Sequence, residues 1–119
     1  MKTALSCVAL CLSLTALSGC ASDPAPLEQL RLTEQAVLQA RAVGANQQTA
    51  ELALAELKLA AARAAMADED YRQARLLSEQ AELDARLAEA RVLNEKGSEQ
   101  VAELTRRIER LRRQLGDLR

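Results

Sequence analysis

The sequence predicts an all-α protein: a helical hairpin within a three-helix arrangement, ending in a long, coiled-coil-like helix. Three observations predict it. Apolar residues make up 49% of the chain, yet Phe and Trp are absent and Tyr71 is the single tyrosine, so alanine and leucine carry the apolar content. These residues, with Glu, Gln and Arg, are the strongest helix formers, whereas the β-branched and aromatic residues that strands prefer are scarce after residue 20. The apolar positions also recur at helical spacing, interrupted at two short polar breaks.

The first element is a leader. Lys2 is followed by an uncharged stretch, residues 4–17, too short for an ordinary transmembrane helix and of the length of a secretory h-region. It ends in Leu17-Ser18-Gly19-Cys20, which resembles the bacterial lipobox: an aliphatic residue, two small residues and a cysteine. The resemblance implies cleavage after Gly19, with Leu17, Ser18 and Gly19 read by the lipoprotein signal peptidase and a diacylglyceryl group on the Cys20 thiol. Residues 1–19 are then a removed signal peptide, and 20–26 a lipidated cysteine and tether kept extended by Pro24 and Pro26. Two or three acyl chains make attachment effectively permanent. Ala21 rather than Asp follows the cysteine, which by the sorting rule of such lipoproteins implies the outer membrane, facing the periplasm. Cys7 and Cys11 leave with the leader, and a lone mature cysteine forms no internal disulfide.

The next elements follow from their end signals. A helix is predicted over 27–43, closed by Gly44, a natural residue for the position after a helix C-cap. Thr49 is positioned to cap a second helix, 50–67, whose leucines and alanines occupy more than one face and predict contact on two sides. Asp68-Glu69-Asp70 is an acidic turn, read as capping and dipole compensation rather than as a metal site. A third helix begins near Tyr71. It is predicted over 71–96, with an amphipathic continuation over 98–118. A hinge or bend, not a full stop, is expected at Asn94–Ser98, where Gly97 weakens the helix and Ser98 could cap a new start.

Two resemblances concern the hairpin. Residues Ala67 to Ala74 and Ala81, with Ala61, Ala62 and Ala65 upstream, resemble one tetratricopeptide hairpin, in which small residues let two helices approach. A single copy makes no array. More broadly, residues 36–93 resemble a family of small alanine-rich bacterial lipoproteins defined by a domain of unknown function numbered 4398. The carrying residues are Leu52, Ala55, Leu59, Ala62, Ala65-Met66, Asp70-Tyr71, Ala74, Leu77, Gln80-Ala81, Asp84-Ala85, Leu87-Ala88 and Ala90. Gln47-Gln48-Thr49-Ala50 departs from the Tyr-Ala-Pro of that family's first turn. The resemblance implies fold and location and assigns no activity.

The chemistry that can be read is that of binding. No histidine, glycine-rich phosphate loop or free mature cysteine is present, so neither an enzyme nor a cofactor other than the covalent lipid is expected. The net charge of −1 calls for no nucleic acid. In contrast, Val101, Leu104, Ile108, Leu111, Leu115 and Leu118 form a heptad seam, with Val101 at position a. Arg107 and Arg112 fall on its rim at g and e, and residues 105–119 sum to about +4. In a parallel homodimer these arginines would oppose each other. The expected occupant of 98–118 is therefore a protein partner or a second copy of the chain, with the rim resisting a simple symmetric dimer and suiting an acidic partner rim or an anionic envelope surface. The function read from this is a lipid-anchored envelope scaffold or interaction module; the alternative is a regulator of a periplasmic enzyme.

Cys20→Ala should leave the precursor uncleaved or soluble, because the thiol is the sole acyl acceptor. Membrane fractionation with incorporation of labelled palmitate checks this; normal fractionation with label retained would overturn the lipobox reading.

Overall fold

The computed structural model describes residues 23–116. The lipobox residues Leu17, Ser18 and Gly19, the lipid site Cys20, and Leu118 and Arg119 therefore lie outside the described residues. Three helices follow one another: α1, Leu27–Ala42; α2, Ala50–Ala67; and α3, Tyr71–Gly116. No strand occurs among the described residues.

Both interhelix turns are closed by the backbone. At the end of α1, the Gly44 N–H donates to the Arg41 carbonyl at 2.9 Å and the Ala45 N–H to the Ala40 carbonyl at 3.0 Å, with Val43 as the C-cap. This is the Schellman pattern, and Ala45 and Ala40 are both buried beside it. Gly44 has φ +109°, so the turn needs glycine for its backbone; a Cβ there would lie 3.2 Å from Lys96 Nζ, the end of a flexible side chain. The same pattern ends α2: Glu69 N–H to Met66 O at 3.2 Å and Asp70 N–H to Ala65 O at 2.9 Å. Here the left-handed position is Glu69, at φ 60°, which costs a non-glycine residue roughly 1–2 kcal/mol.

The helix starts differ from each other. Asp70 caps α3, its carboxylate accepting the Gln73 N–H at 3.0 Å. Thr49 stands at the N-cap of α2 but its hydroxyl does not cap it; the oxygen instead accepts the Asn46 N–H at 3.2 Å and holds the loop together.

α3 packs along both other helices. Its inner face is Ala74, Ser78, Ala81, Ala85 and Ala88, all fully buried. The opposing residues are Thr33, Ala36, Val37 and Ala40 of α1 and Leu52, Ala55, Leu59 and Ala62 of α2. Thr33 and Ser78 are the buried polar residues, and both are satisfied. The Thr33 hydroxyl lies 2.8 Å from the Gln29 carbonyl and 3.0 Å from the Ser78 carbonyl, and Ser78 donates to the Ala74 carbonyl at 2.7 Å.

Two expectations are corrected. α2 buries one face only, and Leu54 and Leu57 are exposed, because both of its neighbours lie on the same side. The second concerns Ser98: α3 runs through Gly97 with no full stop, as expected, and Ser98 caps no new start. The Ser98 hydroxyl donates back to the Glu95 carbonyl at 2.7 Å instead of starting a new helix. One glycine costs about 1 kcal/mol, and a break would forfeit several backbone hydrogen bonds and require a second costly nucleation. The 46 residues of α3 therefore span roughly 69 Å, against roughly 24 and 27 Å for α1 and α2 with 16 and 18 residues.

Ala74→Leu should overpack the fully buried inner face and cost about 1–3 kcal/mol, whereas Leu83→Ala on the exposed side should leave the melting temperature of the monomer nearly unchanged. Equal melting curves for both variants would show that α3 does not pair through this face.

Candidate functional site

Each helix pair carries polar links at its rim. Arg41–Glu56 at 2.7 Å and Arg63–Glu34 at 2.6 Å join α1 to α2; Lys58–Asp84 at 2.6 Å and Arg91–Glu51 at 2.9 Å join α2 to α3. Between α1 and α3, Gln29 Nε2 donates to Glu82 Oε2 at 2.7 Å, while Arg86 Nε donates to the other oxygen at 2.9 Å. The Gln29 hydrogen bond, and after it the Arg86 hydrogen bond and charge, hold the Glu82 carboxyl below the usual carboxylate range.

These links end with the hairpin. The last is Lys96, whose ammonium donates to the Val43 carbonyl at 2.6 Å. There the α1–α2 turn meets α3 in an open hollow of about 470 Å³, lined by Asn46, Glu51, Arg91 and Lys96 among others. Of its charged walls, Glu51 pairs with Arg91 through one carboxylate oxygen and Lys96 with backbone.

Beyond Lys96, α3 has no neighbouring helix among the described residues. The predicted seam residues there, Val101, Leu104, Ile108, Leu111 and Leu115, are all exposed, from 49% for Ile108 to 66% for Leu115. Leu118, the sixth, lies outside the described residues. The rim arginines Arg107 and Arg112 are exposed too. Arg106 and Arg110 share Glu103, at 3.8 and 3.2 Å.

The stripe is longer than the sequence reading placed it. Counting back from Val101 in heptads puts Leu76 and Leu83 at d and Leu87 at a, and the structure exposes all three. Gln80 fills the a layer between Leu76 and Leu83, and Ala90, Asn94 and Gly97 fill those between Leu87 and Val101. The inner-face alanines fall at b and f of the same frame, so the stripe and the hairpin core occupy nearly opposite sides of α3. The signal was the seven-residue spacing of Leu76, Leu83, Leu104 and Leu111. It was hidden because the leucines of a hairpin helix are expected to face its core.

The family described as "Domain of unknown function (DUF4398)" matches residues 28–104. A crystal structure of a DUF4398 family protein from Pseudomonas aeruginosa PAO1 is similar to this chain at 60% identity and a TM-score of 0.78, covering 81% of this chain and 100% of that one. No curated protein matches the chain.

A carboxyl whose pKa is lowered by folding stabilises the fold above its ordinary value and loses that contribution as pH falls through the lowered one. Thermal stability should therefore decline as Glu82 protonates in acid, and Glu82→Gln should flatten that limb while lowering stability at neutral pH. Melting curves from neutral to strongly acidic pH check this, with an unchanged profile in the variant as the contrary result.

Proposed function

This chain belongs to the DUF4398 family, and on that premise we propose that it is a lipid-anchored envelope protein whose hairpin holds out the distal half of α3 as an interaction helix. The observation that supports this reading is the unpartnered apolar stripe over Val101–Leu115. Small proteins seldom leave so long a row of aliphatics facing water unless something covers it. An isolated helix of this length is also marginal in water, and this one continues a helix whose first half the hairpin supports.

The lipobox resemblance of Leu17-Ser18-Gly19-Cys20 supports anchoring in the outer membrane, with the body in the periplasm. No described helix is long and apolar enough to cross a membrane, so attachment through Cys20 is the membrane contact in this reading. The rim arginines suit an acidic partner or an anionic surface, such as lipid phosphates or peptidoglycan carboxylates. Catalysis and cofactors other than the lipid have no part in it.

Replacing Ile108 and Leu111 with Ser should weaken recovery of envelope partners at least about tenfold, since each half-exposed aliphatic contributes on the order of 1 kcal/mol when covered. Residues 27–93 should stay folded, as read by the thermal transition. Replacing Arg107 and Arg112 with Glu should weaken binding separately and reduce its salt dependence. Undiminished recovery with both pairs of substitutions would overturn the reading; recovery of one enzyme with a changed rate would favour the regulator.

A further inference from the structure

We propose that the occupant of the stripe is α3 of a second copy, running antiparallel over residues 76–115. This rests on the reading of the stripe as an interaction surface and specifies its partner.

The period of the stripe points to a helix. A straight α-helix drifts by roughly 20° per heptad against a strict seven-residue repeat, so a stripe kept in register from Leu76 to Leu115 winds around α3. A second helix can follow it by supercoiling, whereas a flat surface would favour a period of 3.6. The exposed stripe also lies away from the hairpin core, so a second α3 can approach without displacing α1 or α2.

Charge chooses the direction. In a parallel pair, residues at g and e bring Glu79 beside the partner's Asp84, Arg86 beside the partner's Arg91, and Arg107 beside the partner's Arg112, each twice over. The basic segment 105–115, at about +4, would then face its own copy. In an antiparallel pair, it faces residues 76–86, whose own charges sum to −2; Glu82 is paired there with Arg86 and Asp84 with Lys58, which leaves Glu79 as the acid without an ion pair in that segment. Arg107 comes beside the partner's Arg86, a charge already met by Glu82 in each chain.

Packing chooses the register. Setting Leu76 against the partner's Leu115 places Leu83 against the partner's Ile108, Leu87 against the partner's Leu104, and Ala90 against the partner's Val101, with Gln80 against the partner's Leu111 as the one layer that sets a leucine against a glutamine. Asn94 meets the partner's Gly97 at the centre, where the missing side chain leaves the amide open to water. A shift by one heptad would bring Glu79 beside the partner's Arg107, but would set Leu104 as well as Leu111 against a glutamine and leave Leu115 beyond the end of α3. Covering leucines outweighs exposed ion pairs, so the first register is the stable one. The tethers leave from opposite ends of such a pair, so two anchored copies lie along one membrane surface with their arginine segments beside it.

The test uses the full chain in mild detergent, with Cys7, Cys11 and Cys20 changed to Ser so that added thiols respond alone. Leu83→Cys and Ile108→Cys are made separately; both positions are exposed in the single chain and should tolerate the change. A short thiol-specific crosslinker should join the two variants when mixed in equal amounts and leave each alone unjoined, because like positions lie roughly 37 Å apart along an antiparallel pair. Sedimentation should give a dimer that Ile108→Ser weakens at least about tenfold. Crosslinking of each variant to itself would establish a parallel pair and overturn the proposal. A monomer at high concentration would overturn self-association altogether; if Ile108→Ser and Leu111→Ser still abolish envelope binding in that case, the stripe serves another partner and the interaction reading stands.

Discussion

Everything in this fold depends on α3 having an inner face small enough for two helices at once. Ala74, Ser78, Ala81, Ala85 and Ala88 leave no side chain beyond a methyl or hydroxymethyl group between the backbones. The distance between packed helices follows the side chains at the contact, and these allow α1 and α2 to lie close to α3 while also touching each other. The Thr33 hydroxyl then reaches the Ser78 carbonyl directly, a contact that a larger residue at position 78 would prevent.

That choice inverts the usual sorting of apolar residues. Alanine fills the inside of α3, while Leu76, Leu83 and Leu87 face outward. Burial scales with apolar area, so the close contacts yield less stabilisation per residue than a leucine core would. Val37, Leu52 and Leu59 supply most of the large buried surface. The outward leucines keep their area in reserve, and they join the distal seam in one seven-residue frame that runs the length of α3.

With a small core, orientation is set from the rim and the turns. Exposed ion pairs contribute about 0–1 kcal/mol each. Their placement matters more than their number: Arg41–Glu56 and Arg63–Glu34 align α1 with α2, Lys58–Asp84 and Arg91–Glu51 align α2 with α3, and Gln29–Glu82 aligns α1 with α3. Two Schellman turns reverse the chain within a few residues. Lys96 closes the last turn against Val43, and among the described residues no later side chain of α3 hydrogen-bonds to α1, α2 or their turn.

The sequence by itself determined the helical class, the two breaks and the distal seam, because each is written in local terms: propensity, the left-handed position at Gly44, the cap at Asp70, and the 3-4 spacing from Val101. Only the tertiary structure decided which face of each helix is inside. Leucine-rich α2 reads as buried on two sides, yet Leu54 and Leu57 are exposed because α1 and α3 lie on the same side of it. Ser98 reads as a possible cap for a new start, yet its hydroxyl turns back to the Glu95 carbonyl within a continuous α3, since the propensity cost of Gly97 is outweighed by the hydrogen bonds of an unbroken helix. Leu76, Leu83 and Leu87 belong to the outer stripe for a reason no local rule contains: burial is a property of what lies opposite, and against α1 and α2 the inner face of α3 carries only alanine and one serine.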